Sequence, residues 1–101
     1  MTTDPVVSEF ADDAEMRPIL QMFANGLAEI CGELRRGIAA GDTELLRRVG
    51  HQLKGSGGGY GYPALTEAGR ALEDAVVVAG AVNDAVRSAA EELIALCRRI
   101  R

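Results

Sequence analysis

Apolar residues recur at three- and four-residue steps through most of this chain, and that spacing leaves few folds open. Leu20, Phe23, Leu27, Ile30, Cys31, Leu34 and Ile38 line one side of a helix with about 3.6 residues per turn. Leu65, Ala68, Leu72, Ala75, Val76 and Ala79 form a second such stripe, and Val82, Val86, Ala89, Leu93, Leu96, Cys97 and Ile100 a third. No segment alternates apolar and polar residues as a half-buried strand would. Each stripe has to be buried against the others, so the expected class is all-α.

Punctuation residues divide the pattern into helices. Pro18 suits only a first turn, so the first helix is expected to begin near Glu15 to Arg17. Gly41 is a good stop and Asp42 a good N-cap for a second helix, from about Thr43 to about Tyr60. Pro63 opens a third, Gly80 closes it, and a fourth carries the last stripe into the cations Arg98, Arg99 and Arg101. Joints this short make neighbours antiparallel, and the architecture expected is an up-down four-helix bundle over residues 16–101. Residues 1–15 form a polar, acidic segment anchored by Val6, Val7 and Phe10, with a short extra helical turn expected behind Pro5. Nothing in the pattern calls for a second domain.

Composition narrows the function classes. Aromatics are 4% of the chain and Trp is absent, so the core has to be aliphatic. The net charge of −4 lacks the basic footprint of nonspecific nucleic-acid binding. There is no apolar run long enough to span a membrane and no basic leader at Met1-Thr2-Thr3-Asp4, so a cytoplasmic, soluble monomer is expected. Cys31 and Cys97, isolated on apolar faces, read as buried free thiols.

His51 is the only histidine. At about 100° per residue, Leu46, Val49, Leu53, Ser56 and Tyr60 lie opposite it and are expected to face the core. Glu44, Arg47, Arg48, Lys54, Gly55 and Gly58 share its own side, so the imidazole is expected on the solvent face of a core helix. Lys54 lies one turn along, within reach of any group attached to the ring, and Gly55 removes a side chain that would crowd it. The cations Arg47, Arg48 and Lys54 are expected to favour the neutral, nucleophilic ring.

Six glycines between Gly50 and Gly61 cost a helix on the order of 1 kcal/mol each against Ala. Tight helix approach on the inner side and a flat docking surface beside His51 are two uses for them. A helix ending near Ser56, with a glycine loop after it, is the third reading. Lys54-Gly55-Ser56 is not a P-loop, because the order is wrong and no strand precedes it. Gly59-x-Gly61-x-x-Ala64 lacks the strand of a dinucleotide fingerprint. No nucleotide site is therefore expected, and no metal ligand accompanies His51 at helical spacing.

The stretch Arg47-Arg48-Val49-Gly50-His51-Gln52-Leu53-Lys54-Gly55-Ser56 resembles the His-x-Leu-Lys-Gly-Ser signature of histidine-containing phosphotransfer (HPt) domains. The likeness runs from about Pro18 to Ile100, through the Ala40-Gly41-Asp42 turn and the Leu72-Glu73 pair. The resemblance implies a carrier in a two-component phosphorelay, with His51 accepting a phosphoryl group from one receiver-domain aspartate and passing it to another. Lys54 would neutralise the phosphoryl charge, and Gly55 and Gly58 would give a receiver room, with Arg47 and Arg48 helping it dock. Partners implied are a receiver (response-regulator) domain and a hybrid sensor histidine kinase. No cofactor is implied on this chain, Mg²⁺ being expected on the receiver, and the protein would be a phosphocarrier rather than a kinase. A non-catalytic adaptor that docks a receiver or kinase without being phosphorylated is the alternative. Gly57-Gly58-Gly59-Tyr60-Gly61-Tyr62 departs from the usual continuation of the signature.

Overall fold

Most helix ends of the computed structural model, which describes residues 4–101, fall at a residue whose backbone chemistry calls for it. Helix α1 spans Arg17–Ala40 with Pro18 in its first turn, and ends at Gly41 in the left-handed region, φ 65°. Asp42 caps α2, Thr43–Gly59, its Oδ1 accepting from the Leu45 N–H at 3.0 Å. Helix α3 spans Pro63–Ala79 and ends at Gly80, φ 66°. Asn83 caps α4, Asp84–Cys97, by accepting from the Val86 N–H at 2.9 Å. The helices run up and down in chain order, each against the next, and α4 closes on α1. The all-α up-down bundle is thus the fold.

The core is aliphatic, as the composition requires. Leu34, Leu46, Val49, Leu53, Leu65, Leu72, Val86 and Leu93 are fully buried, and truncating any of these leucines to Ala would cost about 2–5 kcal/mol. Tyr62 is buried with them, its hydroxyl donating to the Arg101 carbonyl at 2.8 Å. Phe23 stacks on Tyr60 and Tyr62, at centroid distances of 4.3 and 5.7 Å, and so pins the end of α2 to α1. Cys31 and Cys97, though isolated in sequence, are buried free thiols in contact with one another. Cys31 also points its Sγ at the Ile94 carbonyl, one turn before Cys97.

The closest seam joins α2 to α3. A Cβ on Gly50 would lie 2.9 Å from the Gly69 carbonyl oxygen, and one on Gly69 2.6 Å from the Gly50 carbonyl oxygen. The two backbones touch there because neither residue has a side chain. Gly57 likewise sits against Leu65 and Thr66. The inner-side use of the glycines is the observed one for Gly50 and Gly57.

Three local expectations need correction. Helix α2 runs through the glycines to Gly59, close to its expected end, but its inward face is Leu46, Val49, Gly50, Leu53 and Gly57. Ser56 and Tyr60 are only half-buried, because the face turns toward α3 where the glycines admit it. The last helix is shorter than its stripe: Val82 precedes it, and Ile100, though buried, follows it. Residues 4–16 form no extra helix. Val6 makes a parallel β-bridge with Ile100, and turns follow. Its buried anchor is Ser8, whose Oγ donates to the Tyr60 carbonyl at 2.6 Å and accepts from the Phe10 N–H, while Val7 and Phe10 are exposed. Residues 1–3 lie outside the described residues.

Candidate functional site

Midway along α2, the His51 side chain is 64% exposed, and its Nδ1 lies 2.8 Å from Oε2 of Glu73 on α3. The other Glu73 oxygen, Oε1, is 2.7 Å from the Lys54 Nζ. Arg47, one turn before His51, directs Nη1 toward Glu73 Oε2 at 3.9 Å while Nη2 and Nε bind Glu44 at 2.6 and 3.2 Å. Three cationic or ionisable side chains of α2 therefore converge on one carboxylate of α3. That carboxylate is only 13% exposed.

The convergence follows from the helix seam. Gly69 is one turn before Glu73, and the contact between Gly50 and Gly69 brings this part of α3 up to the backbone of α2. Larger side chains at either position would hold the helices farther apart. A carboxyl that can reach His51 from a neighbouring helix needs that approach.

Charge state decides what the hydrogen bond does. The Lys54 ammonium holds the Glu73 carboxyl below the usual carboxylate range, against the opposing effect of its burial and with further help from the hydrogen bond to His51. An ionised carboxylate only accepts, so Nδ1 of a neutral ring must carry the proton. The lone pair is then on Nε2, at the far side of an exposed ring, and the geometry supplies an oriented nucleophile. The nearest charged group to His51 is thus an anion rather than the cations expected to keep the ring neutral. Its orientation comes from Glu73.

The other sequence-derived positions separate into two groups. A Cβ on Gly55 would meet nothing within 4 Å, and one on Gly58 only the Thr66 hydroxyl at 3.5 Å. Neither glycine is demanded by packing, and both leave bare backbone on the side of α2 that carries His51. Arg48 is exposed and makes no ion pair among the described residues, so it does not join the cluster around Glu73. Glu73 itself stood in the sequence only as part of the Leu72-Glu73 pair. The signal that could have singled it out is register: with Gly50 set against Gly69 in antiparallel helices, the residue one turn past Gly69 falls beside His51. Among the described residues no cluster of His, Cys, Asp and Glu could hold a metal ion, and no helix is long and apolar enough to cross a membrane.

A four-helix bundle with an oriented, exposed histidine on a core helix defines a class of protein, and comparison with family models supplies its family. Residues 18–101 match the family described as the Hpt domain, which is most of the chain. The protein belongs to the Hpt domain family. Searches of curated proteins and of solved structures returned no match.

Proposed function

We propose that this protein is a phosphocarrier of a two-component phosphorelay, accepting a phosphoryl group on His51 from a receiver-domain aspartate and passing it to another. The observation that carries the reading is the 2.8 Å contact between His51 Nδ1 and Glu73 Oε2, on an exposed ring in a chain of the Hpt family.

In the proposed step, the Nε2 lone pair attacks the phosphorus of an aspartyl phosphate. The N–P bond forms, the P–O bond to the receiver breaks, and the aspartate leaves as a carboxylate. Because Nδ1 keeps its proton, the ring becomes a phosphoimidazolium, and the Glu73 carboxylate stabilises the positive charge that develops. The same proton lets a neutral imidazole leave when the group moves on, so one arrangement serves both directions. Lys54 is positioned to turn from Glu73 to the phosphoryl oxygens, where a charge-assisted bond awaits it. Gly55 and Gly58 give the incoming receiver clearance, and Arg47 and Arg48 add positive charge at the rim of that surface. Mg²⁺ belongs to the receiver, and a hybrid sensor kinase or a separate receiver fits as donor. A cytoplasmic monomer suits this role.

The test is transfer of label. A receiver domain charged with acetyl [³²P]phosphate, then freed of it, should give an acid-labile phosphoprotein when mixed with this chain. His51→Gln should give none. Binding of the receiver with no label in the wild type would make the protein an adaptor, and label persisting in the variant would move the acceptor elsewhere.

A further inference from the structure

The resting arrangement leaves Lys54 committed. Its ammonium is 2.7 Å from Glu73 Oε1, and a phosphoryl group on His51 would bring roughly two negative charges to the other end of the ring. If Lys54 turns to that group, Glu73 keeps only the imidazolium ring as a cation, and the phosphoryl charge on that ring more than offsets it. A 13% exposed carboxylate has little water to replace the lost partner. Yet Glu73 has to stay ionised to hold the Nδ1 proton. Something has to take the place of Lys54.

Arg47 is in place to do it. Its Nη1 is 3.9 Å from Glu73 Oε2, inside ion-pair range but too far for a hydrogen bond. Its Nη2 and Nε meanwhile clasp Glu44 at 2.6 and 3.2 Å, which aims the guanidinium in advance. A guanidinium presents five donors in a fixed fork, so it can keep Glu44 and still close on Glu73. Glu44, 69% exposed, has no other ion-pair partner among the described residues.

We propose that Arg47 is the reserve counter-ion of the site: Lys54 moves from Glu73 to the phosphoryl group, and Arg47, aimed by Glu44, closes on Glu73 in its place. The inference rests on the carrier reading and gives Arg47 a role different from docking. Docking charge changes the rate of encounter in both directions and leaves the overall equilibrium alone. A reserve counter-ion stabilises the phosphorylated protein more than the free one, and so moves the equilibrium.

The experiment is the phosphotransfer equilibrium between this protein and a receiver charged with acetyl [³²P]phosphate, for the wild type and for Arg47→Gln, Arg47→Lys and Glu44→Gln. Arg47→Gln should shift the label toward the receiver by about threefold to fivefold, as loss of one partly exposed ion pair would. Arg47→Lys should recover part of that shift, and Glu44→Gln should show a smaller shift of the same sign. Thermal unfolding of the unphosphorylated variants should be nearly unchanged. Slower transfer by Arg47→Gln at an unchanged equilibrium overturns the proposal and leaves Arg47 a docking residue. A wild type that accepts no label removes the carrier reading and this inference with it. Label on the wild type with no equilibrium shift in the variant removes this inference alone.

Discussion

Glu73 and His51 lie on different helices, 22 residues apart, and are joined by a hydrogen bond of 2.8 Å. Glu73 is a positioning group: it fixes which ring nitrogen carries the proton and turns the other outward. Replacing it with Ala should leave the bundle folded, with His51 sampling both tautomers. Transfer to His51 should fall about 10- to 100-fold, the loss typical when a carboxylate that orients a functional histidine through its other ring nitrogen is removed. Nitrogen chemical shifts of the imidazole report the tautomer directly. A ring that stays protonated at Nδ1 in Glu73→Ala would show that the carboxylate does not set it.

The same carboxylate makes stability depend on pH. Its folded-state value is lowered from 4.5, first by the hydrogen bond from Lys54. A depressed carboxyl contributes stability that is fully present above the unfolded value and is lost as pH falls through the folded one. The difference in melting temperature between wild type and Glu73→Gln should therefore be larger at pH 6 than at pH 3. A difference that is flat across this window would mean that the ion pair with Lys54 contributes nothing to the fold.

Two glycines of the site region should respond to alanine in opposite ways. Gly69→Ala places a Cβ 2.6 Å from the Gly50 carbonyl oxygen and 2.7 Å from the Lys54 backbone nitrogen, so the helices must part. That overpacking should cost about 1–3 kcal/mol and carry Glu73 away from His51. Gly55→Ala meets nothing within 4 Å and should stabilise the helix by about 0.5–1 kcal/mol. It should nevertheless slow transfer, because the new methyl group stands where a receiver would approach. Denaturant melts and transfer rates on both variants check the pair. Faster or unchanged transfer by Gly55→Ala would remove the clearance argument.

What could be read beforehand divides along local and non-local lines. The stripes through Leu20 to Ile38 and Leu65 to Ala79, and the stops at Gly41 and Gly80, are local patterns, so the bundle was legible from spacing alone. So was the solvent-facing phase of His51. The depth to which α2 and α3 approach is a joint property of Gly50 and Gly69, and no periodicity within one helix announces it. That depth moved Gly57 inward at the expense of Ser56 and brought Glu73 to the imidazole. The segment around Ser8 escapes local pattern for a similar reason. Its structure comes from backbone pairing between Val6 and Ile100, and from a hydroxyl seated on the Tyr60 carbonyl, partners distant in sequence.

Ser8 gives a separate prediction. Its Oγ is donor to the Tyr60 carbonyl and acceptor from the Phe10 N–H, and the residue is buried. Ser8→Ala leaves both backbone groups without that partner, which should cost about 1–3 kcal/mol. The loss should fall on the end of α2, where Glu9 also donates to the Gly61 carbonyl at 2.8 Å. Hydrogen exchange should rise at Phe10 and around Gly61, with little change near His51. Uniform acceleration across the bundle would mean that the segment supports the whole fold instead of one end.

Cys97 provides the last test, through a thiol that should be silent. Burial first, then the contact with Cys31, pushes its pKa from 9.0 up to about 12. The thiolate is the reactive species, so at pH 8 almost none is present in the folded protein, and the sulfur is enclosed as well. A disulfide reagent such as DTNB should therefore label neither Cys31 nor Cys97 quickly in the native state, and both promptly in denaturant. Under native conditions the slow labelling should follow global opening, and should accelerate in a core-destabilised variant such as Leu53→Ala. Labelling that is fast in the wild type and indifferent to stability would place at least one thiol at the surface, contrary to the packing of α1 on α4.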